Sequence, residues 1–285
     1  MNVRALTDRL AAALTAVYPA PEAGAIAALV TESLLGLSAL QRRMQAHEPV
    51  PAAVLARVPA LQQRLLAHEP VQYVLGHAHF AGLELAVSPA TLIPRPETEE
   101  LLRLVVDEWS GRPGLRVLDV GTGSGALAIG LARELPQAQV LAVDISAAAL
   151  AVARRNGAQY APQVQFEQLD ILTEVPDLKA GTLDLLVSNP PYVRESERAQ
   201  MRENVLAWEP ATALFVPDAD PLRFYRRLGE LGRELLRPGG AVYFEINEAF
   251  AADNQALLRA QGYGEVRGVA DIFGRDRMVR ATWPG

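Results

Sequence analysis

The chain has 285 residues, of which 50% are apolar, 27 are basic and 33 are acidic, and it contains no cysteine. A chain of this length and apolar content can bury one large core or two smaller ones without disulfides or clusters of thiolate metal ligands. Its net charge of −6 argues against sequence-independent binding to the phosphate backbone of nucleic acids.

The sequence also argues against insertion in a membrane. No stretch reaches the ~18 consecutive apolar residues that a transmembrane helix needs. The apolar run of residues 10–18 follows Asp8 and Arg9 and stops at Pro19, without the basic start and small-residue cleavage site of an export signal. We therefore expect a cytoplasmic protein that has no membrane partner.

Residues 1–75 place apolar side chains at helical spacing, and prolines such as Pro19, Pro49 and Pro59 mark turns between the helices. No segment in this range alternates as a strand does, so we expect a small helical domain. Through residue 85, six arginines balance six acidic residues, and the net charge of −6 therefore lies in the remainder of the chain.

Residues 76–95 predict a β-hairpin linker, because glycines and prolines flank the alternating stretch of residues 83–87. His77 and His79 have the spacing of metal ligands. However, the chain has only four histidines and no cysteine, and no acidic residue obviously completes a site. We therefore expect no metal ion.

Residues 96–285 predict the second domain. A proline at position 96 and acidic residues after it favour a helix start, and this helix extends to about Trp109. Strands are expected at 115–120, 140–143, 164–167, 183–187 and 241–246 and near 265 and 278. Helices are expected from 124, at 146–156 with Gly157 as the cap, and at 222–236, with a helix stop at 236–240. This alternation predicts a Rossmann-like α/β domain with a mainly parallel seven-stranded sheet and ligands at the carboxyl ends of its strands.

The first chemical signature is Asp119-Val120-Gly121-Thr122-Gly123-Ser124-Gly125, where a strand runs into a glycine-rich turn that opens a helix. Glycines let the backbone approach a ligand, and free N–H groups are expected to face it. The spacing also satisfies a dinucleotide fingerprint. The acid before the turn and the close glycine spacing favour S-adenosylmethionine. The expected cofactor-binding residues are Asp119, Gly121, Thr122, Gly123, Ser124 and Gly125.

Two aspartates follow at the ends of the next two strands. Asp144 lies at the offset where an acid accepts both ribose hydroxyls of an adenosine, although it could instead cap the helix that begins near Ser146. Asp170 could accept from the adenine amino group while Ile171 packs on the ring. A purely structural role explains Asp170 equally well.

The second signature is Asn189-Pro190-Pro191-Tyr192, which directly follows an apolar strand. A planar NH₂ group is a poor nucleophile because its nitrogen lone pair is delocalised. The side-chain oxygen of Asn189 and the carbonyl of Pro190 can each accept one N–H of such a group and aim its lone pair at a methyl donor. Pro191 stiffens the loop, and Tyr192 offers a flat face to a planar substrate. This chemistry predicts methylation of an amide or an aromatic amine.

These two signatures resemble class I S-adenosylmethionine-dependent methyltransferases that act on such nitrogens. Residues 72–76, 92–99, 208–210 and 271–277 are further similar to the bacterial release factor glutamine methyltransferase family. That family methylates the glutamine of the Gly-Gly-Gln motif in class 1 peptide chain release factors. This sequence departs from the family pattern at Leu169, Asn247 and Phe250.

The resemblance implies S-adenosylmethionine as the methyl donor and a release factor as the protein substrate, docked by the helices of residues 1–75. It implies that Asn189, Pro190 and Tyr192 act in catalysis, that Pro191 joins them in holding the glutamine, and that Asn189 also borders the cofactor.

Three alternatives to this function remain. An adenine or guanine amino group would fit the same loop, but the catalytic part carries 21 basic against 27 acidic residues, which disfavours nucleic acid. A nicotinamide-dependent oxidoreductase leaves residues 189–192 unexplained, and a non-catalytic binding module leaves both signatures unexplained.

Overall fold

The computed structural model describes residues 1–285, which divide into two compact units. The first unit comprises Met1–His77 together with Arg202–Trp208, and the second comprises Ala78–Met201 and Glu209–Gly285. The hydrophobic pattern of the sequence does not predict that residues 202–208 belong with the first unit. None of the helices is both long enough and apolar enough to cross a membrane.

The first unit is built from helices. Asn2 caps its first helix by accepting the N–H of Ala5 at 2.8 Å, and Ser38 forms a capping box with Gln41 at the start of the third. Pro59 lies inside the fourth helix and not at a turn, and its exposed ring leaves one helical carbonyl without an N–H donor. The helices are α1 (Val3–Leu14), α2 (Ala20–Leu35), α3 (Ala39–Met44), α4 (Ala52–Leu66), α5 (Val71–Leu75) and, from the later segment, α9 (Glu203–Trp208).

Helix α9 is attached to this unit by polar contacts. The indole N–H of Trp208 donates to the carbonyl of Ala67 at 3.3 Å, and the guanidinium of Arg202 pairs with Glu22 at 3.2 Å. Both bonds join residues more than 100 positions apart, which is why local sequence patterns do not reveal them.

A two-stranded hairpin is formed by β1 (His77–Phe80) and β2 (Leu83–Ala86). Its turn residues, Ala81 and Gly82, have φ angles of 47° and 76°. Two consecutive left-handed residues match the right-handed twist of the paired strands, and they are typical of tight two-residue hairpin turns. This geometry is consistent with the glycine at the second turn position.

The second unit is built on a seven-stranded sheet, which confirms the predicted Rossmann-like class. The strand order is β10-β11-β9-β6-β3-β4-β5; the five strands from β9 to β5 are parallel, and β11 runs antiparallel to both of its neighbours. Two further short strands form a separate pair, β7 (Val193–Arg194) and β8 (Phe215–Val216). The sheet strands are β3 (Arg116–Val120), β4 (Gln139–Asp144), β5 (Gln165–Gln168), β6 (Leu183–Ser188), β9 (Leu236–Glu245), β10 (Gly264–Ala270) and β11 (Asp276–Thr282).

Helices cover both faces of this sheet. Val117 and Leu118 are neighbours on β3 but belong to different buried clusters, because successive strand side chains point to opposite faces. One cluster includes Leu101 and the other includes Leu228. The helices of this unit are α6 (Pro96–Trp109), α7 (Ala126–Glu134), α8 (Ala147–Tyr160), α10 (Arg223–Leu235) and α11 (Ala251–Ala260).

Two predicted boundaries were wrong for steric reasons. Gly157 lies inside α8 and does not end it; a Cβ at this position would lie 2.6 Å from the Phe166 ring, so glycine is required by packing. The predicted helix stop was confirmed, because α10 ends at Leu235, but residues 236–240 already belong to β9, which begins earlier than the expected residue 241. There, a Cβ on Gly240 would lie 3.0 Å from the carbonyl of Leu183, so the close pairing of β9 with β6 requires this glycine.

The order in which successive strands are added to the sheet reverses between β3 and β6. Strands β4 and β5 lie on one side of β3, whereas β6 and β9 lie on the other. The Ser188 hydroxyl at the end of β6 donates to the Val120 carbonyl at the end of β3, at 2.7 Å. Open α/β sheets bind ligands outside the carboxyl ends of their strands at such a reversal. Both chemical signatures of the sequence begin at this point.

Candidate active site

The glycine-rich turn leaves β3 with a left-handed backbone. Gly121, Gly123 and Gly125 have φ angles of 74°, 56° and 82°, which side-chain-bearing residues rarely adopt. The N–H groups of Gly121 and Thr122 both donate to the carbonyl of Val143, at 2.9 and 3.1 Å, and that of Gly125 donates to the carbonyl of Thr122 at 2.8 Å. The expectation that the N–H groups of the turn are free was therefore wrong for these residues. Gly121 and Thr122 hold the turn against β4, and Gly125 donates within the turn.

Asp144 ends β4 and fixes the same turn. One carboxylate oxygen accepts the N–H of Gly123 and the other accepts the N–H of Ser146, both at 2.9 Å. An ionised carboxylate offers about four lone-pair sites, so roughly two remain for ligand hydroxyls. Burial raises the pKa of Asp144, and the two N–H bonds oppose that rise. The carboxylate therefore closes the turn that leads to Ser146, which caps the following helix, and it still retains acceptor capacity.

A cavity of about 310 Å³ opens at this edge of the sheet. Its volume falls within the range of small-molecule sites. Asp144 supplies an acidic acceptor on the wall, and Leu169 and Ile171 supply apolar surface. This combination fits a nucleoside with a flat ring and hydroxyl groups. The predicted site residues that line the cavity are Gly121, Gly123, Asp144, Asp170, Ile171, Asn189, Pro190 and Pro191.

A second cavity of about 50 Å³ adjoins the first, since Gly121, Gly123 and Asn189 line both. Its wall also includes Thr98 and Arg95, which lie at the start of α6 and just before it. The remaining predicted residues on this wall are Asp119, Thr122 and Ser124.

Two predicted site residues line neither of these cavities. Gly125 lies at the start of α7, where a Cβ would come within 3.0 Å of Ile129 and 3.3 Å of Ala153. The close packing here therefore favours glycine. Tyr192 packs against the buried cluster around Leu118, and its hydroxyl donates to Glu245 at 3.0 Å. A direct contact of Tyr192 with substrate stays a prediction.

Asn189 lies between the glycine turn and α6. Its Nδ2 donates to the hydroxyl of Thr98 at 3.0 Å, and its Oδ1 accepts no hydrogen bond from the protein. A Cβ on Gly121 would lie 4.0 Å from the backbone carbonyl oxygen of Asn189, so the two signature loops approach each other closely. The adjacent Pro190 is buried, which fixes the base of the loop. Asn189 thus presents an acceptor beside the turn that follows β3.

Asp170 and Ile171 follow β5. Ile171 is buried on the cavity wall. Asp170 also reaches this wall, but its carboxylate accepts the N–H of Leu172 at 3.0 Å and the hydroxyl of Thr173 at 3.1 Å. These bonds show a turn-forming role for Asp170. They leave lone pairs for a ligand, so its contact with adenine stays a prediction.

Asp119 is 1% exposed and accepts the hydroxyl of Thr122 at 2.7 Å. Burial raises the pKa of Asp119 from 3.8 to about 7, against the opposing hydrogen bonds from Thr122 and from the backbone of Ala128, and the nearby Asp144 adds to the rise. A carboxyl group of this kind holds its proton more tightly when the protein is folded. The stability of the fold should therefore depend on pH through Asp119.

The expected sign is a loss of stability as the pH rises. Between pH 4 and 7 the folded protein binds more protons at Asp119 than the unfolded chain does, so this group lowers the free energy of unfolding by up to about 1.4 kcal/mol per pH unit. We expect Asp119→Asn to remove this slope in urea unfolding at pH 4 to 8. The exposed Asp177→Asn should keep it. An Asp119→Asn variant with the slope of the parent would contradict the prediction.

Sequence reasoning missed two buried polar residues that shape the site. Asn156 on α8 donates to the carbonyls of Ala86 and Ser124, at 3.0 and 2.9 Å, and accepts the N–H of Ala86 at 2.8 Å. It thereby joins the hairpin to the glycine turn. Its position in a regular helix gives no local signal of this role.

Glu209 is the second missed residue. Its buried carboxylate accepts the N–H of Ile93 at 3.1 Å and pairs with Arg95 at 2.5 Å. These bonds fix the segment that leads from the hairpin into α6. An acidic residue set between Trp208 and Pro210 is the signal that could have indicated a buried partner.

The structure also places an acid near one of the predicted hairpin histidines. The ligand atoms of His79 and Glu84 lie within 4.8 Å of each other, although the spacing in the sequence did not indicate such an acid. Both side chains are exposed. His77 in the same strand brings the group to three ligand atoms, one fewer than a structural zinc site uses, so the expectation of no metal stays a prediction.

Comparisons with known proteins agree with this geometry. Residues 98–212 match the family model described as the methyltransferase small domain, and residues 5–76 match the PrmC N-terminal domain. The hMettl16 catalytic domain, solved in complex with a 3′UTR hairpin, has a TM-score of 0.57 and 17% identity over 85% of this chain and 94% of that one. That likeness shows the methyltransferase fold alone.

Two curated relatives are more informative. The release factor glutamine methyltransferase of Bacteroides thetaiotaomicron is 45% identical over 97% of this chain and 99% of the relative. The release factor glutamine methyltransferase of Deinococcus radiodurans is 37% identical over 100% of both chains. The full-length match includes the helical unit, the glycine turn and the segment after β6. The chain belongs to the release factor glutamine methyltransferase family.

Proposed function

We propose that this chain is a protein-(glutamine-N5) methyltransferase that methylates the glutamine of the Gly-Gly-Gln motif in class 1 peptide chain release factors, with S-adenosylmethionine as the donor. The observation that carries the proposal is the position of Asn189 beside the glycine turn. Its Nδ2 is bonded to Thr98 while its Oδ1 keeps its acceptor capacity. A primary amide offers the two N–H groups that such a loop can accept.

The larger cavity is the proposed donor site. Asp144 would accept the ribose hydroxyls, Ile171 would pack on the adenine, and Asp170 would accept its amino group. The turn of residues 119–125 would hold the amino-acid part of the donor. When bound, S-adenosylmethionine supplies an electrophilic methyl group on a positively charged sulfur. The acidic acceptor and apolar wall described above support this assignment.

The residues of the loop after β6 then prepare the glutamine nitrogen. Asn189 Oδ1 and the Pro190 carbonyl accept one N–H each, which fixes the nitrogen and favours a geometry in which its lone pair is available. Pro190 and Pro191 restrict the backbone, so both acceptors stay in place. Most of the rate gain therefore comes from orientation of the amide, a contribution of roughly 7–11 kcal/mol in well-oriented intramolecular reactions. No strong base is needed, because the methylated nitrogen is acidic and loses its proton to water.

The helical unit is proposed to dock the release factor. It contributes no residue to the two cavities, and it matches the N-terminal model of the same family. Helix α3 exposes Leu40 and Met44, which are 66% and 76% accessible, beside the basic residues Arg42 and Arg43. Exposed apolar side chains with a charged rim are typical of a protein-binding surface.

The test is transfer of labelled methyl from S-adenosylmethionine to an unmodified class 1 release factor. We expect one methyl group on the Gly-Gly-Gln glutamine, located by mass spectrometry. A release factor with alanine in place of that glutamine should stay unlabelled. Total RNA and DNA serve as competing acceptors in the same assay. Label on nucleic acid and none on the release factor would contradict the proposal and favour an exocyclic amine as substrate.

A further inference from the structure

A chain of hydrogen bonds connects Asn189 to the interior of the second unit. The Asn189 amide nitrogen donates to the Thr98 hydroxyl at 3.0 Å, and the Thr98 hydroxyl donates to one oxygen of Glu245 at 2.6 Å. The Tyr192 hydroxyl donates to the other oxygen of Glu245 at 3.0 Å. The network therefore brings together the start of α6, the end of β9 and both ends of the Asn-Pro-Pro-Tyr loop.

The bond between Thr98 and Glu245 determines which end of the Asn189 amide faces Thr98. A threonine hydroxyl has one proton, and in the structure Thr98 donates it to Glu245. Thr98 then has only lone pairs to offer Asn189, and the amide must turn its NH₂ group toward Thr98. The opposite orientation would place two acceptors against each other.

This constraint acts on the atom that the proposed reaction uses. With Nδ2 held by Thr98, Oδ1 is the end of the amide left for the substrate. Glu245 is 1% exposed and Thr98 is 6% exposed, so water does not readily replace either partner. Burial raises the pKa of the Glu245 carboxyl, and the hydrogen bonds from Thr98 and Tyr192 and the nearby positive charge of Arg277 oppose that rise. The arrangement is therefore fixed before the substrate arrives.

We propose that Thr98 and Glu245 are positioning residues that set the direction of the Asn189 amide, so that Oδ1 accepts from the glutamine NH₂. The inference rests on the proposed function. Neither residue needs to touch the glutamine. Tyr192 belongs to the same network, because its hydroxyl donates to the other carboxylate oxygen of Glu245.

The test is a double-mutant cycle of Thr98→Val and Asn189→Ala, with methylation of a release factor as the readout. Valine matches the shape of threonine but removes the hydroxyl. We expect Thr98→Val to lower kcat about tenfold, with the KM values for donor and release factor within about threefold of the parent. Thr98→Ser, which keeps the hydroxyl, should restore most of the rate. In the Asn189→Ala background, Thr98→Val should have almost no further effect, because the group it positions is gone.

Donor affinity by calorimetry and the thermal midpoint identify variants that fail to fold. If Thr98→Val loses the donor or unfolds, the comparison moves to Thr98→Ala at a temperature where the donor still binds. A Thr98 variant that folds, binds the donor and keeps kcat within twofold of the parent would overturn the inference. An equal loss of rate with and without Asn189 would also overturn it, since Thr98 would then act by another route. A parent enzyme that does not methylate release factors would instead contradict the proposed function.

Discussion

Replacement of Asn189 by alanine is expected to lower kcat for release factor methylation about 10²–10³-fold, the usual effect of removing one preorganised group that stabilises a transition state. The lost Oδ1 is one of the two proposed acceptors for the glutamine NH₂, and without it we expect the nitrogen to rotate freely and to stay conjugated. The affinity for the donor should change little, because the proposed ribose and adenine contacts are made by Asp144 and Ile171. Steady-state kinetics with saturating donor and release factor measure this loss.

The control for this prediction is donor affinity. Calorimetric titration of Asn189→Ala with S-adenosylmethionine should give a Kd within about threefold of the parent, because Asn189 borders the donor cavity but does not supply the carboxylate. The far-ultraviolet spectrum and thermal midpoint should also stay close to those of the parent. If the donor no longer bound, the fall in kcat would say nothing about the amide acceptor, and the assigned division between donor and substrate residues would be wrong.

Replacement of Asp144 is expected to act on the donor instead. Asp144→Ala removes the acceptor proposed for the ribose hydroxyls and also leaves the N–H groups of Gly123 and Ser146 without their partner. Hydrogen bonds to charged groups contribute about 1.5–3 kcal/mol each, so we expect the Kd for S-adenosylmethionine to rise about 10- to 100-fold. At saturating donor, kcat should change by less than about threefold. Calorimetry and donor-dependent kinetics measure both quantities.

Two matched variants make this second prediction specific. Asp144→Asn keeps one oxygen acceptor and should weaken donor binding less than Asp144→Ala does. Asp177→Asn neutralises an exposed aspartate outside both cavity walls and should leave the Kd unchanged. An Asp144→Ala variant that binds the donor within twofold of the parent would show that the cavity beside β4 is not the donor site.

The alternating sheet could be predicted because its signals are local. Parallel strands covered on both faces are almost continuously apolar, as in residues 183–187, and each expected strand was found in the sheet. The glycine turn and the Asn-Pro-Pro-Tyr segment were also visible, since each is a short motif whose residue types are dictated by backbone conformation or by acceptor chemistry. Their meeting at the reversal of the sheet follows from the strand order alone.

The supporting residues could not be predicted because their partners are distant in the chain. Thr98 contacts Glu245 across 147 positions, Glu209 contacts Ile93 across 116, and Asn156 contacts Ala86 across 70. A single sequence gives no information on such pairs. The sequence also assigned free N–H groups to the glycine turn, whereas β4 accepts two of them through the carbonyl of Val143. Which backbone groups a turn leaves free depends on the neighbouring strand and not on the glycines.

Asn189 is proposed to act on the methyl-transfer step itself. Single-turnover kinetics test this most directly, with enzyme in excess over release factor and preloaded with labelled S-adenosylmethionine, so that donor binding and product release do not contribute. We predict that Asn189→Ala transfers the methyl group at least about 100 times more slowly than the parent. An equal single-turnover rate in the two proteins would show that Asn189 does not act on methyl transfer.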